Sequence, residues 1–131
     1  MSAEFETQKA LFGAISALGL RVYDVAPQAS DGASLASWPY VTIGTAVFSQ
    51  FDTKEVNGFN FVARIHTRSR SASMAEAKII QGQIYDRLHH GTLTITEYDT
   101  TLLQFESQDV TQVADGSFHG IAEYRGIIEK A

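Results

Sequence analysis

Phe59-Asn60-Phe61-Val62-Ala63-Arg64-Ile65-His66-Thr67-Arg68 alternates apolar with polar side chains, and that period of two decides the fold. Successive side chains of a strand point to opposite faces. Phe59, Phe61, Ala63 and Ile65 therefore share one side, and Asn60, Arg64, His66 and Arg68 share the other, with Val62 alone breaking the pattern. One face meets the core and the other meets water or a partner, which is the habit of an antiparallel sheet covered on a single side.

Working back from this strand, residues 49–58 contain Asp52, Lys54, Glu55, Asn57 and Gly58 and read as a loop. Before it, Trp38-Pro39-Tyr40-Val41-Thr42-Ile43-Gly44 opens a second strand. Pro39 suits a first position, where no N–H is owed to the ladder, and residues 40–48 are apolar on nearly every side chain, as in a central strand. Residues 25–37 hold Pro27, Ser30, Asp31, Gly32 and Ser34 with no period, the composition of an exposed loop long enough to belong to a binding surface. Arg21-Val22-Tyr23-Asp24 reads as a short strand. Residues 2–18 carry Phe5, Leu11, Phe12, Ile15 and Leu18 at helical spacing, with Glu4, Thr7, Gln8 and Ser16 on other faces, Ser2 as cap and Gly19 as stop.

Working forward, Ser73-Met74-Ala75-Glu76 matches a capping box, in which Ser73 accepts from the backbone at Glu76 and the glutamate reaches back. A helix follows with Ala77, Ile80, Ile84 and Leu88 as its apolar stripe. Lys78, Gln81, Gln83, Asp86 and Arg87 fall outside that stripe, and Gly91 ends the helix after His89 and His90. Leu93-Thr94-Ile95-Thr96 is a further short strand. Residues 102–113 and 118–128 form a hairpin about Ala114-Asp115-Gly116-Ser117, where Asp-Gly is the turn signal. Two helices with hairpins, rather than strictly alternating strand and helix, predict an α+β fold: a mainly antiparallel sheet of four to six strands with both helices packed on one face.

The 131 residues suffice for one domain spanning 1–131 that buries roughly two-thirds of its unfolded surface. A 44% hydrophobic content with 19% charged residues describes a chain able to fold by itself. The formal net charge of −5 argues against a tight duplex-DNA clamp and fits a conduit past which nucleic acid slides. Cysteine is absent, which excludes disulfides, thiolate catalysis and thiolate metal sites. The acidic start Ser2-Ala3-Glu4-Phe5-Glu6 is unlike a signal peptide, and no apolar run is long enough for a membrane span, so neither secretion nor membrane association is expected.

The residues able to carry chemistry are dispersed. His89 and His90 are adjacent, so on a helix they do not share a face as metal ligands would, and they suit a cation near a helix C-terminus. His119 has no serine or carboxylate partner fixed by spacing. Asp99, Glu106, Asp109 and Asp115 lack the spacing of a calcium loop. Phosphate-binding glycine loops, nucleophile elbows and metalloprotease helices are missing from the sequence. Neither an enzyme nor a cofactor is expected. Two features stand out instead: a basic stripe of Arg64, His66 and Arg68, and an aromatic entrance, Trp38 and Tyr40, that suits either an interface anchor or the core.

In order and spacing, five pieces of the chain carry a resemblance: the helix ending at Leu18-Gly19; Arg21-Val22-Tyr23-Asp24; Trp38-Pro39-Tyr40-Val41-Thr42-Ile43-Gly44; Ile65-His66-Thr67-Arg68-Ser69-Arg70 before the second helix; and Asp115-Gly116-Ser117-Phe118-His119-Gly120 with Tyr124-Arg125. Together they resemble the tail-terminator, or tail-completion, proteins of long-tailed phages and gene transfer agents, over nearly the whole chain. Members of that family more often carry an aromatic, usually Trp, where this chain has His66-Thr67. The resemblance implies a structural virion protein assembled in the host cytoplasm, a ring of six subunits that caps the head-proximal end of the tail. Its implied partners are itself, the tail tube protein and the head-tail connector or head-closure protein, with DNA passing through the channel unread. Trp38, Tyr40, Asp52, Lys54, Glu55, Arg64, His66, Arg68 and Arg70 are then the candidate contacts. A head-closure or neck component is the alternative within assembly proteins, and a small ligand-binding or hydrolytic α+β domain the alternative outside them.

Overall fold

The computed structural model describes residues 2–24, 37–50 and 57–131. Helix α1 (Ala3–Ser16) is capped by Ser2, whose Oγ accepts from the Phe5 N–H at 3.1 Å, and Gly19 takes a left-handed φ of +83° just beyond it. Then come β1 (Val22–Tyr23), β2 (Tyr40–Gln50), β3 (Gly58–Ser69), α2 (Ala75–Leu88), β4 (Tyr98–Gln112) and β5 (Phe118–Lys130). They form one five-stranded sheet in the order β1-β2-β3-β5-β4, parallel between β1 and β2 and antiparallel elsewhere. The fold is the expected α+β arrangement. Both helices lie on one face, α1 over β1 and β2 and α2 over β3, β4 and β5.

The core lies between that face and the helices. Leu11 and Ile15 of α1 meet Ile80, Ile84 and Leu88 of α2 above Val41, Ile43, Phe61, Ala63, Ile65, Ala122, Tyr124 and Ile128 of the sheet. The alternation read from β3 holds: Phe61, Ala63 and Ile65 are buried, Phe59 is half-buried, and Arg64 on the reverse is exposed. β5 alternates from Phe118 to Glu129, and Gly126 leaves room for the Phe61 ring, into which a Cβ would run.

The buried face of α1 differs from the expected one. Phe5 is 54% exposed and Leu18 is also exposed, whereas Glu6 and Thr7 are buried. Leu11 and Ile15 set the inward direction, and one helical turn before Leu11 the chain presents Thr7, not Phe5. Gln81 of α2 is likewise buried, and its Nε2 donates to the Asp109 carbonyl at 3.0 Å in the space left by Gly120. The capping box does not form. Ser73 Oγ accepts from Ala75 N at 3.3 Å, and Glu76 instead accepts from the Ser69 hydroxyl at 2.6 Å, tying the helix start back to the end of β3.

Two strand expectations also change. β1 covers only Val41 and Thr42, so from residue 43 to 49 β2 has β3 as its only described strand neighbour, and it is central over its first residues alone. Residues 93–96 make a single bridge, Ile95 with Tyr98. The Thr100 hydroxyl donates to the Leu93 carbonyl and accepts from the Leu93 N–H, taking the backbone groups that a ladder would have used. The final hairpin turns as expected. Gly116 has φ +89°, and Asp115 Oδ1 accepts from the Ser117 N–H and Oγ, bonds that hold its carboxyl below the ordinary value.

Candidate assembly interface on the open sheet face

Among the described residues helices cover one side of the sheet only, and the register of the strands lays out the other side in rows. From one end these are Tyr40–Arg68–His119–Thr111, then Thr42–His66–Ile121–Asp109, then Arg64–Glu123–Ser107 beside a bulge in β2. Val47–Val62–Arg125–Gln104 and Ser49–Asn60–Ile127–Leu102 follow. The bulge sets two β2 residues, Gly44 and Thr45, opposite Arg64. A second bulge in β4 turns Glu106 outward.

Charges on this face are mostly paired. Arg64 Nε donates to Glu123 Oε1 at 2.9 Å, and Arg125 Nε donates to Glu106 Oε1 at 2.8 Å. Val47 lies among them 66% exposed, and Val62, Ile121, Leu102 and Ile127 are half-buried. The face therefore mixes apolar side chains with fixed charges over a broad, shallow surface, a composition suited to protein contact.

His66 and His119 meet here, although 53 residues separate them in sequence. His66 Nδ1 and His119 Nε2 are 2.8 Å apart, the distance of an N–H···N bond, and the rings stack with their centroids 5.1 Å apart. Gly44 makes the room, because a Cβ there would collide with the His66 imidazole. Burial is the main influence holding both rings below the ordinary histidine value. Arg68 acts the same way on both; Arg64 adds to the effect on His66, and Asp109 opposes it at His119. Both are thus neutral imidazoles near pH 7. Neither side chain has a serine, threonine or carboxylate hydrogen-bond partner among the described residues, so the pair lacks the relay of a nucleophilic site. Among the same residues no three His, Asp or Glu side chains converge as metal ligands.

At the β1 end, Trp38 and Tyr40 pack edge to face at 4.9 Å, Tyr23 and Tyr40 at 5.6 Å, and the Arg70 guanidinium lies 4.1 Å above the Trp38 ring. Arg21 fixes the corner by donating to the carbonyls of Ser37 and Pro39. Tyr40 projects to the open side yet is only 5% exposed, because its neighbours cover it within the chain. Arg70 is exposed at this corner and Trp38 half-buried. Of the other sequence candidates, Arg64, His66 and Arg68 do share the open face, while Asp52, Lys54 and Glu55 lie outside the described residues, as does nearly all of the 25–37 loop. The His89 ring does not stand free at the helix end. Its Nδ1 accepts from the Phe105 N–H at 3.1 Å, stitching α2 to the β4 bulge. His119, Glu123, Arg125 and Glu106 join the face through register alone, a signal that no local spacing carries.

The fold is shared with a component in the virion of a native gene transfer agent particle, with a TM-score of 0.81, 21% sequence identity and 98% of each chain covered. Among curated proteins none matches. Residues 7–129, from the second turn of α1 to the penultimate residue of β5, match the tail completion protein gp17 family. The chain belongs to that family and is a tail-associated structural protein.

Proposed function

We propose that this chain is a tail terminator: a single-domain subunit of a six-membered ring that caps the head-proximal end of the tail tube, stops its growth and joins it to the head connector. The observation that carries this reading is the family match over residues 7–129. The geometry supports it. A ring that closes by rotation needs two different surfaces on each subunit, and this molecule has a helix-covered side and an open side that are chemically unlike. Candidate contacts on the open side are Arg64, His66 and Arg68, with Trp38 and Arg70 at its corner. Asp52, Lys54 and Glu55 are candidates through the loop that bears them. The net charge of −5 suits a channel through which DNA slides without being held.

The test is deletion of the gene from its particle followed by electron microscopy. Tails of uncontrolled length are expected. Tails of normal length left unjoined to heads would assign the chain to the neck instead, and normal particles would overturn both roles.

A further inference from the structure

Three arginines project from the strands of the open face. Arg64 and Arg125 are each bonded to a glutamate, whereas Arg68 has no acidic partner among the described residues. Nor does Arg70 compensate it, being a second cation, seated on Trp38. Arg68 is half-buried, faces His119 in register and lies one row from His66. A half-buried guanidinium without a carboxylate is poorly compensated, and the two rings beside it are hydrogen-bonded to each other, not to an acid. We propose that Arg68 and the His66–His119 pair form a docking site for a carboxylate presented by a neighbouring protein chain in the particle. Charge complementarity selects this occupant: among the described residues Arg68 is the unmatched cation on a face whose other arginines already use glutamates.

The site has a built-in proton linkage. The pair holds one proton in its N–H···N bond and stays neutral near pH 7. The groups facing it are Arg64 and Arg68 on β3, Asp109 and Thr111 on β4, Ile121 and Glu123 on β5, and Tyr40, Thr42 and Gly44 on β2. Asp109 is the acid acting on His119, and Glu123 is engaged by Arg64. A carboxylate arriving at Arg68 offsets the charge that opposes ring protonation, so docking draws a proton onto the pair at mildly acidic pH, and acid in turn favours docking.

This inference rests on the open face being a protein contact and not on the tail-terminator role, so normal particles after gene deletion would leave it standing. The test uses the full-length protein and a hexaglutamate peptide as probe, following the His66 and His119 ring resonances by NMR across mildly acidic to neutral pH. With peptide, both midpoints should rise by on the order of 0.5–1 pH unit. Arg68→Ala should raise the midpoints without peptide and abolish the further rise with it. Arg68→Gln serves the same purpose if the alanine variant does not fold. The proposal is overturned if the peptide leaves the midpoints unmoved, if it moves them equally in the Arg68 variants, or if a DNA oligonucleotide moves them at lower concentration, which would make phosphate the preferred anion.

Discussion

A half-buried histidine pair that shares one hydrogen bond beside Arg68 makes stability depend on pH with a definite sign. Both rings titrate below the ordinary value of 6.5 in the folded chain, chiefly through burial and then through Arg68. Between those lowered values and 6.5 the unfolded chain binds more protons than the folded one. The contribution is therefore fully present above about 6.5 and is lost as pH falls through the window below it. Urea midpoints at about pH 7.5 and about pH 5.5 should show the drop, and a His66→Gln/His119→Gln double variant should show a smaller one. Equal drops would mean that carboxylates, not this pair, account for the dependence. Sequence reading reached Arg64, His66 and Arg68 as one stripe because a strand alternates with period two. It could not reach His119, whose place beside His66 depends on how β5 registers against β3.

Elements show the same division between local and non-local information. The alternation of β3, the Asp-Gly turn and the stripe of Ile80, Ile84 and Leu88 are legible because each follows from the geometry of its own segment. Burial of Glu6, Thr7 and Gln81 is not, because it depends on how each helix is rotated over the sheet. The start of α2 gives the sharpest contrast. Ser73-Met74-Ala75-Glu76 has the spacing of a capping box, yet the turn after β3 brings Ser69 within 2.6 Å of Glu76 and claims its carboxylate. Ser69 Oγ in turn accepts from the Ser71 N–H at 3.1 Å, so Glu76 anchors a turn as well as a helix. Glu76→Ala should then cost about 1–3 kcal/mol through the buried Ser69 hydroxyl left without its acceptor. Ser73→Ala should cost no more than roughly 0.5 kcal/mol, having only a long, exposed contact to lose. Chemical denaturation of the two variants tests the order; a larger loss for Ser73→Ala would restore the reciprocal capping box.

Across the whole molecule, fold stability and assembly are carried by different sides of one sheet, so they should be separable by substitution. Leu11, Ile15, Ile84 and Tyr124 lie on the helix side, where burial is complete and a truncation such as Ile84→Ala should cost about 2–5 kcal/mol. The two ion pairs of the open side, Arg64–Glu123 and Arg125–Glu106, are water-exposed, each worth at most about 1 kcal/mol. Exchanging one pair, Arg64→Glu with Glu123→Arg, keeps an ion pair across the same two strands and reverses the charge presented outward at each position. The folded subunit should hardly notice, with a urea midpoint close to that of the parent. If the open face is a contact in the particle, the exchanged protein should nevertheless fail to replace the parent in a deletion strain, because each reversed charge now opposes a group that had been complementary. Ile84→Ala should behave in the opposite way, losing stability while whatever remains folded still assembles. Normal particles from the exchanged protein would remove the open face from the list of contacts and leave the helix-covered side and the loops to hold the ring together.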